Sequence, residues 1–274
     1  DAERLLLRTV VRELKDHPAI WMWNLGNEPD LFAHPPTDAV GQAWVREMTE
    51  LIHEIDDQHP VTCGLHGDSL FQNNGLRIDQ VYAETDVAVM HSYPMYTNFV
   101  RHPLDPDYVP FTCALTAALS GKRVLMEEFG GCTAPPGTAS HVMEWDLLGA
   151  SRKQFMASEE DLATFVQESL PRLVEVGTTG ALIWCFADYA TELWDRPPCS
   201  EFRHERHFGL VRPDGSLKPH AQALQAFAAT HPTVRETIPG WAHFDLSADA
   251  FYSESPDRVA KRYRQYLERL AIKQ

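Results

Sequence analysis

Short apolar segments alternate with amphipathic segments of helical periodicity along most of this chain. After an opening helix that Asp16-His17-Pro18 ends, the pattern predicts strands at residues 19–25, 61–65, 87–90, 123–127 and 181–186. Helices are predicted between and after them, at residues 38–56, 112–119, 159–176 and 219–230. Strands that alternate with helices form a parallel sheet with helices on its faces, so the chain is an α/β protein.

Polar residues gather where several of the predicted strands end, as in GNEP at residues 26–29 and HSYP at residues 91–94. No GxGxxG or P-loop motif follows any strand, which favours a (β/α)8 barrel of the TIM type over a nucleotide-binding open sheet. Only about the last five strand-helix units of such a barrel are visible. We therefore expect strands 4 to 8 in residues 1–230, and a C-terminal extension with an amphipathic helix in residues 231–274.

Charge and cysteine usage restrict the partners and the compartment. The formal net charge is -15 with no Lys/Arg cluster, which argues against nucleic acid and anionic membrane surfaces. No apolar run is long enough to span a membrane. The five cysteines are widely spaced without a CxxC pair, so we expect packed, reduced thiols. This favours a cytoplasmic location, with a secreted protein as the alternative.

Two glutamates end predicted strands and could share one site. Glu28 follows the first strand and Glu128 follows the fourth, so both would face the mouth of a barrel. Retaining glycoside hydrolysis needs two carboxyl groups about 5 to 5.5 Å apart. The alternative for each glutamate is a structural cap of a strand or helix.

Four segments in order resemble clan A glycoside hydrolases, most closely family 5. They are WNLGNEP at residues 23–29, HSY at 91–93, EFG at 128–130 and Trp184. The resemblance implies a retaining β/α barrel enzyme in which Glu28 is the acid/base and Glu128 the nucleophile. It also implies that Asn27 and Trp184 contact the sugar.

The same resemblance assigns His91 and Tyr93 to the family's His-x-Tyr segment, whose Tyr hydrogen-bonds the nucleophile. The expected substrate is an oligo- or polysaccharide with β-mannosidic or β-glucosidic bonds, and no metal or organic cofactor is required. The family's Arg on strand two and its His near strand three have no counterpart here. We therefore expect that an N-terminal segment is absent from these residues, is supplied by a second chain, or is replaced by a homo-oligomer that completes the barrel. The alternative is a non-catalytic carbohydrate-binding or assembly subunit.

Three further expectations concern side chains near these motifs. Because strand side chains alternate, Glu127 should point away from the barrel mouth. The pKa of Glu28 should be raised while Glu128 stays ionised. His204, Glu205 and His207 are expected on a solvated surface loop, and five aromatic residues could line sugar subsites or merely pack loops: Tyr96, Phe99, Trp145, Tyr189 and Trp194.

Overall fold

A computed structural model describes residues 1–235 and 237–273. Its strands are β1 (Trp23–Asn27), β2 (Val61–Gly64), β3 (Ala88–Ser92), β4 (Val124–Gly130), β5 (His141–Leu147), β6 (Ala150–Met156) and β7 (Gly180–Trp184). Its helices are α1 (Ala2–Leu14), α2 (Pro29–Phe32), α3 (Asp38–His53), α4 (Asp68–Phe71), α5 (Ile78–Glu84), α6 (Tyr108–Ser120), α7 (Glu159–Val176), α8 (Pro219–Ala228), α9 (Ala248–Ser253) and α10 (Arg258–Lys273). None of these helices is long and apolar enough to cross a membrane.

The five strands predicted from the alternation run parallel and lie side by side in the order β1-β2-β3-β4-β7. β1 pairs with β2, and β3 pairs with β4, which pairs with β7. A bridge between His66 and His91 and a hydrogen bond from His91 N to Leu65 O (3.2 Å) join β2 to β3. The chain thus has the parallel α/β organisation of a TIM-barrel-type fold.

Burial explains why the middle strands form. Every residue of β2 and β3 is buried, whereas β1 and β7 are only partly covered. Apolar side chains of the sheet pack against helices α5, α6 and α7 through large residues such as Tyr82, Phe111 and Phe165. The carboxyl ends of the strands are thereby held in one row.

Local signals fix the helix that precedes β7. Ser158 accepts a hydrogen bond from Asp161 N (3.0 Å) at the start of α7, and three acidic residues occupy the first turn. Gly177 ends the helix in the left-handed conformation that glycine adopts without strain. The predicted bounds of this helix, residues 159–176, are confirmed.

The C-terminal extension packs on the same core as the sheet. Val259, Tyr263 and Tyr266 of α10 are buried, and Leu267 and Leu270 pack against them as the apolar stripe predicts. The hydroxyl of Tyr263 donates to the buried carboxylate of Asp105 (2.6 Å). This extension therefore covers the α6 side of the molecule.

Between β4 and α7, where the sequence pattern predicts no strand or helix, the chain forms a β-hairpin. β5 and β6 pair in antiparallel register from His141↔Met156 to Leu147↔Ala150. The turn residues Leu148 and Gly149 both have positive φ, at 53° and 81°, as a two-residue hairpin turn of the primed type requires. The hairpin projects beside the carboxyl ends of the parallel strands.

Candidate active site

Glu28 enters the site through an unusual backbone conformation. It directly follows β1, and its φ of 52° and ψ of 47° place it in the left-handed region, which is disfavoured for residues with a side chain. Its N–H donates to Gly64 O of β2 (2.7 Å), which fixes this turn. Backbone strain of this kind at a strand end is a recognised mark of functional positions.

Glu128 lies within β4 and is largely buried. The hydroxyl of Tyr93, at the end of β3, donates to Glu128 Oε2 at 2.8 Å. One carboxylate oxygen of Glu128 lies within 4.8 Å of one of Glu28. Both glutamates therefore face the same space although 100 residues separate them in sequence.

Glu127 also points into the interior, which corrects the expectation that it faces outward. The pairing register between β3 and β4 shifts between Met90↔Met126 and His91↔Glu128, so Glu127 is the extra residue of a β-bulge. A bulge breaks the alternation of side chains, and both adjacent glutamates face inward. Glu127 Oε1 accepts a hydrogen bond from Asn24 Nδ2 at 2.9 Å.

His91 links the three glutamates. Its Nδ1 lies 2.8 Å from Glu28 Oε1 and 3.5 Å from Glu128 Oε2, and its Nε2 lies 3.1 Å from Glu127 Oε2. Burial alone would lower the pKa of His91, but the hydrogen bonds to Glu127 and Glu28 raise it to about 9. The raised pKa favours the imidazolium form of His91, which can donate from both ring nitrogens.

The two catalytic candidates titrate in the order opposite to the one expected. Burial would raise the pKa of Glu28, but the hydrogen bond from His91 and the charges of His66 and His91 lower it. Burial raises the pKa of Glu128, and the nearby charges of Glu28 and Glu127 add to this effect. The reason is geometric, because His91 Nδ1 lies 0.7 Å closer to Glu28 (2.8 Å) than to Glu128 (3.5 Å).

A cavity of about 610 Å³ opens over these carboxylates. Asn27, Tyr93 and Trp184 line it together with Glu28 and Glu128, while His91 lies buried beneath. The indole of Trp184 is 37% exposed, and the peptide bond that follows it is cis. An exposed aromatic face beside polar groups suits the apolar face of a pyranose.

The other sequence candidates divide between cavity and core. Tyr96 and Trp145 line the cavity, Phe99 packs against the core, and neither Tyr189 nor Trp194 is among the lining residues of the described cavity. Sequence reasoning missed several lining residues: Leu31, His66, Arg152, Lys153, Gln154, Phe202 and Phe208. Arg152, Lys153 and Gln154 lie on β6, and the partial alternation of polar and apolar residues in its partner strand β5 was the available signal for them.

His204, Glu205 and His207 form part of a 3₁₀ turn, Arg203–His207, rather than a solvated loop. His204 is only 8% exposed, and Glu205 lines the cavity. The hairpin explains the difference, because Trp145 of β5 covers His204 at a ring separation of 5.6 Å.

One group of side chains could hold a metal ion. Glu28, His91 and Glu128 each place a ligand atom within 4.8 Å of the others. A protonated His91 has no free lone pair for a metal, since both nitrogens carry hydrogens. In the metal-free protein these three residues form a hydrogen-bonded cluster, with His91 Nδ1 at 2.8 Å from Glu28 Oε1.

All five cysteines are free, and four of them are buried. Burial raises the pKa of Cys63, Cys113 and Cys132, which suppresses the reactive thiolate. The expectation of packed thiols is therefore confirmed for four of the five cysteines.

The parallel strands and the paired carboxylates resemble those of β/α-barrel glycoside hydrolases. Residues 8–100 match the model of a "GH family 5 beta-mannosidase-like" domain. A mannan endo-1,4-beta-mannosidase 4 of Oryza sativa subsp. japonica is 31% identical over 144 residues, which are 42% of this chain and 29% of that protein. The chain is a relative of the clan A glycoside hydrolases and is most like family 5, and it spans less than a third of that plant protein.

Solved structures share the fold. A GH5_18 protein from Streptomyces cattleya in complex with Manb1-4GlcNAc superimposes with a TM-score of 0.68 at 18% identity, covering 86% of this chain and 55% of that one. The exo-beta-1,4-mannosidase Op5Man5 from Opitutaceae bacterium strain TAV5 gives a TM-score of 0.66 at 23% identity, covering 84% and 40%. At these levels of identity, both comparisons show a shared fold.

Proposed function

We propose that this chain carries the catalytic half of a retaining β-glycosidase, with Glu128 as nucleophile and Glu28 as acid/base. The observation that carries the proposal is the pair of carboxylates, with oxygens within 4.8 Å of each other over a common cavity. Retaining enzymes place these groups about 5 to 5.5 Å apart, whereas inverting enzymes leave roughly 6.5 to 9.5 Å for a water molecule. A retaining double displacement fits the spacing.

In the first step, Glu128 attacks the anomeric carbon while Glu28 donates a proton to the departing glycosidic oxygen. The hydrogen bond from Tyr93 to Glu128 orients the nucleophile and leaves its other oxygen free to attack. In the second step, Glu28 takes a proton from water, which attacks the glycosyl-enzyme and releases Glu128. Asn27 is placed to hydrogen-bond the sugar and Trp184 to stack on it.

The acid/base role requires a proton on Glu28 in the complex, although its pKa is lowered in the free chain. Binding of a sugar would remove water from Glu28, and loss of hydration raises the pKa of a carboxyl group. The rise favours the protonated form of Glu28 that the first step needs. We infer that substrate binding itself sets the protonation state for the first step.

The substrate class is a neutral oligo- or polysaccharide with a β-linked mannosyl or glucosyl unit. Mannosides are favoured because the family model and the plant relative are both described by mannosidase names. We also propose that β1 to β4 and β7 correspond to strands 4 to 8 of an eight-stranded barrel. A preceding segment, a second chain or another copy would supply the first three.

The test is hydrolysis of a panel of aryl β-glycosides and β-mannan or β-glucan oligomers. Glu28→Gln should lower kcat/KM by roughly 10² to 10⁴, the usual range for general acid-base groups. Glu128→Gln should abolish turnover, and Glu13→Gln, an exposed glutamate of α1, should leave it unchanged.

Azide distinguishes the two roles with an activated aryl β-glycoside. In Glu28→Ala it should intercept the glycosyl-enzyme and give the β-glycosyl azide, whereas in Glu128→Ala it should enter from the vacated side and give the α-azide. A well-folded, complete barrel that binds these sugars but cleaves none would favour the non-catalytic carbohydrate-binding alternative.

A further inference from the structure

A third glutamate faces the cavity that holds Glu28 and Glu128. Glu205 belongs to the 3₁₀ turn Arg203–His207, which follows β7, and its side chain is 36% exposed. It lines the same cavity as the two catalytic candidates. The double displacement by Glu28 and Glu128 does not use the carboxylate of Glu205.

Among the described residues, His204 is the basic side chain within ion-pair distance of this carboxylate. Its Nε2 lies 3.2 Å from Glu205 Oε1, and neither carboxylate oxygen accepts a hydrogen bond from a described residue. A third carboxylate in a cavity that already holds two is electrostatically unfavourable, because like charges repel more strongly where water is limited. A purely structural turn has no need of this charge.

Aromatic rings fix His204 from four directions. The centroids of Tyr96, Trp145, Phe202 and Phe208 lie 6.5, 5.6, 6.5 and 6.2 Å from its ring. Trp145 is itself anchored, since its Nε1 donates to Glu201 O at 2.8 Å. A ring held in this way keeps its Nε2 at 3.2 Å from Glu205 Oε1, beside the carboxylate.

The four aromatic residues line the cavity beside Glu205. Sugar recognition commonly combines an aromatic surface for the C–H face of a pyranose with carboxylate acceptors for its hydroxyl groups. A carboxylate whose oxygens accept no hydrogen bond from the described residues can accept from two neighbouring hydroxyls. In this cavity the aromatic surface includes Trp145 of the hairpin, and the carboxylate is that of Glu205 in the 3₁₀ turn.

We propose that Glu205 binds neighbouring hydroxyl groups of the sugar unit in the cavity, and that His204 is its positioning residue. The ligand class is a neutral pyranoside with a free vicinal diol. This inference rests on the proposed function and adds a specificity determinant to it. Glu205 takes no part in bond making or breaking.

The experiment compares wild type with Glu205→Gln on 4-nitrophenyl β-D-mannopyranoside and on its 3-, 4- and 6-deoxy analogues. Loss of a charge-assisted hydrogen bond should lower kcat/KM for the parent sugar about tenfold to a hundredfold. The loss should shrink to less than about threefold on the analogue that lacks the bound hydroxyl. Glu192→Gln, an exposed glutamate after β7 that does not line the cavity, should match wild type throughout.

A structural role predicts a different pattern. If Glu205→Gln lowered kcat/KM equally on the parent and every deoxy analogue, or left all of them unchanged, the inference would be overturned. His204→Phe should reproduce part of the parent-sugar loss, because it keeps the aromatic packing and removes the contact with Glu205.

Failure of the inference and failure of the proposed function are separable. Activity that depends on Glu28 and Glu128 but not on Glu205 would overturn the inference alone. If wild type cleaves no glycoside, calorimetric titration with β-1,4-mannobiose tests the inference instead. Weaker binding by Glu205→Gln than by wild type would support it. Equal binding by both proteins, or no binding by wild type, overturns it.

Discussion

His91 makes the stability of the protein depend on pH. The folded pKa of about 9 lies above the ordinary value of 6.5, so the folded state binds a proton that the unfolded state releases near neutral pH. The resulting stabilisation is fully present below pH 6.5 and is lost as the pH rises through 9. For this buried side chain the shift corresponds to on the order of 3 kcal/mol.

The prediction is that the free energy of unfolding falls between pH 6 and pH 9, and that His91→Gln removes most of this slope. Guanidinium unfolding at several pH values measures it. His34→Gln, an exposed histidine between α2 and α3, serves as the control and should keep the wild-type slope. Parallel pH dependence in wild type and His91→Gln would contradict the assignment of the shift to His91.

Sequence reasoning reached most of this cluster and failed at one residue. Glu28 and Glu128 were identifiable because each ends an apolar strand, where barrel enzymes place their chemistry. The inward position of Glu127 was not predictable from strict alternation. The bulge in β4 depends on pairing with β3, which is a contact between distant segments and leaves no local signal.

At the scale of elements, the contact between β4 and β7 positions Trp184 beside Glu128. Gly130 pairs with Trp184, and a Cβ at Gly130 would lie 2.6 Å from the carbonyl oxygen of Trp184. That distance is far inside normal contact, and the obstacle is backbone rather than a flexible side chain. A side chain at Gly130 must therefore push the two strands apart.

Gly130→Ala should reduce the free energy of unfolding by about 1 to 3 kcal/mol, the usual range for overpacking. It should also lower kcat/KM, because Trp184 moves away from the sugar. Gly240→Ala is the matched control, since a Cβ there meets no atom within 4 Å. If the unfolding curves of Gly130→Ala and wild type coincide, β7 can shift away from Gly130 without a loss in the free energy of unfolding, which would contradict the prediction.

Helices and buried strands were predictable because their signals are local. α7 carries its N-cap, its acidic first turn and its terminal glycine within its own sequence. The β5–β6 hairpin was missed because its turn, Leu148-Gly149, lacks the Asn-Gly or Asp-Gly pair that usually marks such a turn. Missing the hairpin also hid the burial of His204, which depends on Trp145.

At the scale of the whole molecule, the parallel sheet has an unpaired edge strand at each end. Among the described strands, β1 pairs only with β2 and β7 only with β4. Large apolar side chains lie exposed in or beside these two strands, including Trp21 (62%), Leu182 (48%) and Phe186 (78%). Unpaired strand edges with exposed apolar side chains favour association with further strands.

A substitution at Leu182 tests whether further strands cover the β7 edge of the sheet. If the first three strands come from polypeptide outside these 274 residues, Leu182→Lys in this chain alone should change the free energy of unfolding by less than about 0.5 kcal/mol. It should also reduce the fluorescence of a bound hydrophobic dye. In the completed barrel the same substitution would bury an unpaired charge and should cost about 3 kcal/mol or more.

Leu148→Lys at the hairpin tip is the control, because Leu148 is 99% exposed and lies away from the sheet edge. It should have little effect on unfolding in either context. A large destabilisation by Leu182→Lys in the isolated chain, together with a dimeric mass in solution, would show that a second copy covers the edge. Introducing a charge at Leu182 lowers the free energy of unfolding strongly only where other strands bury this position. Such a result would therefore indicate that self-association completes the barrel.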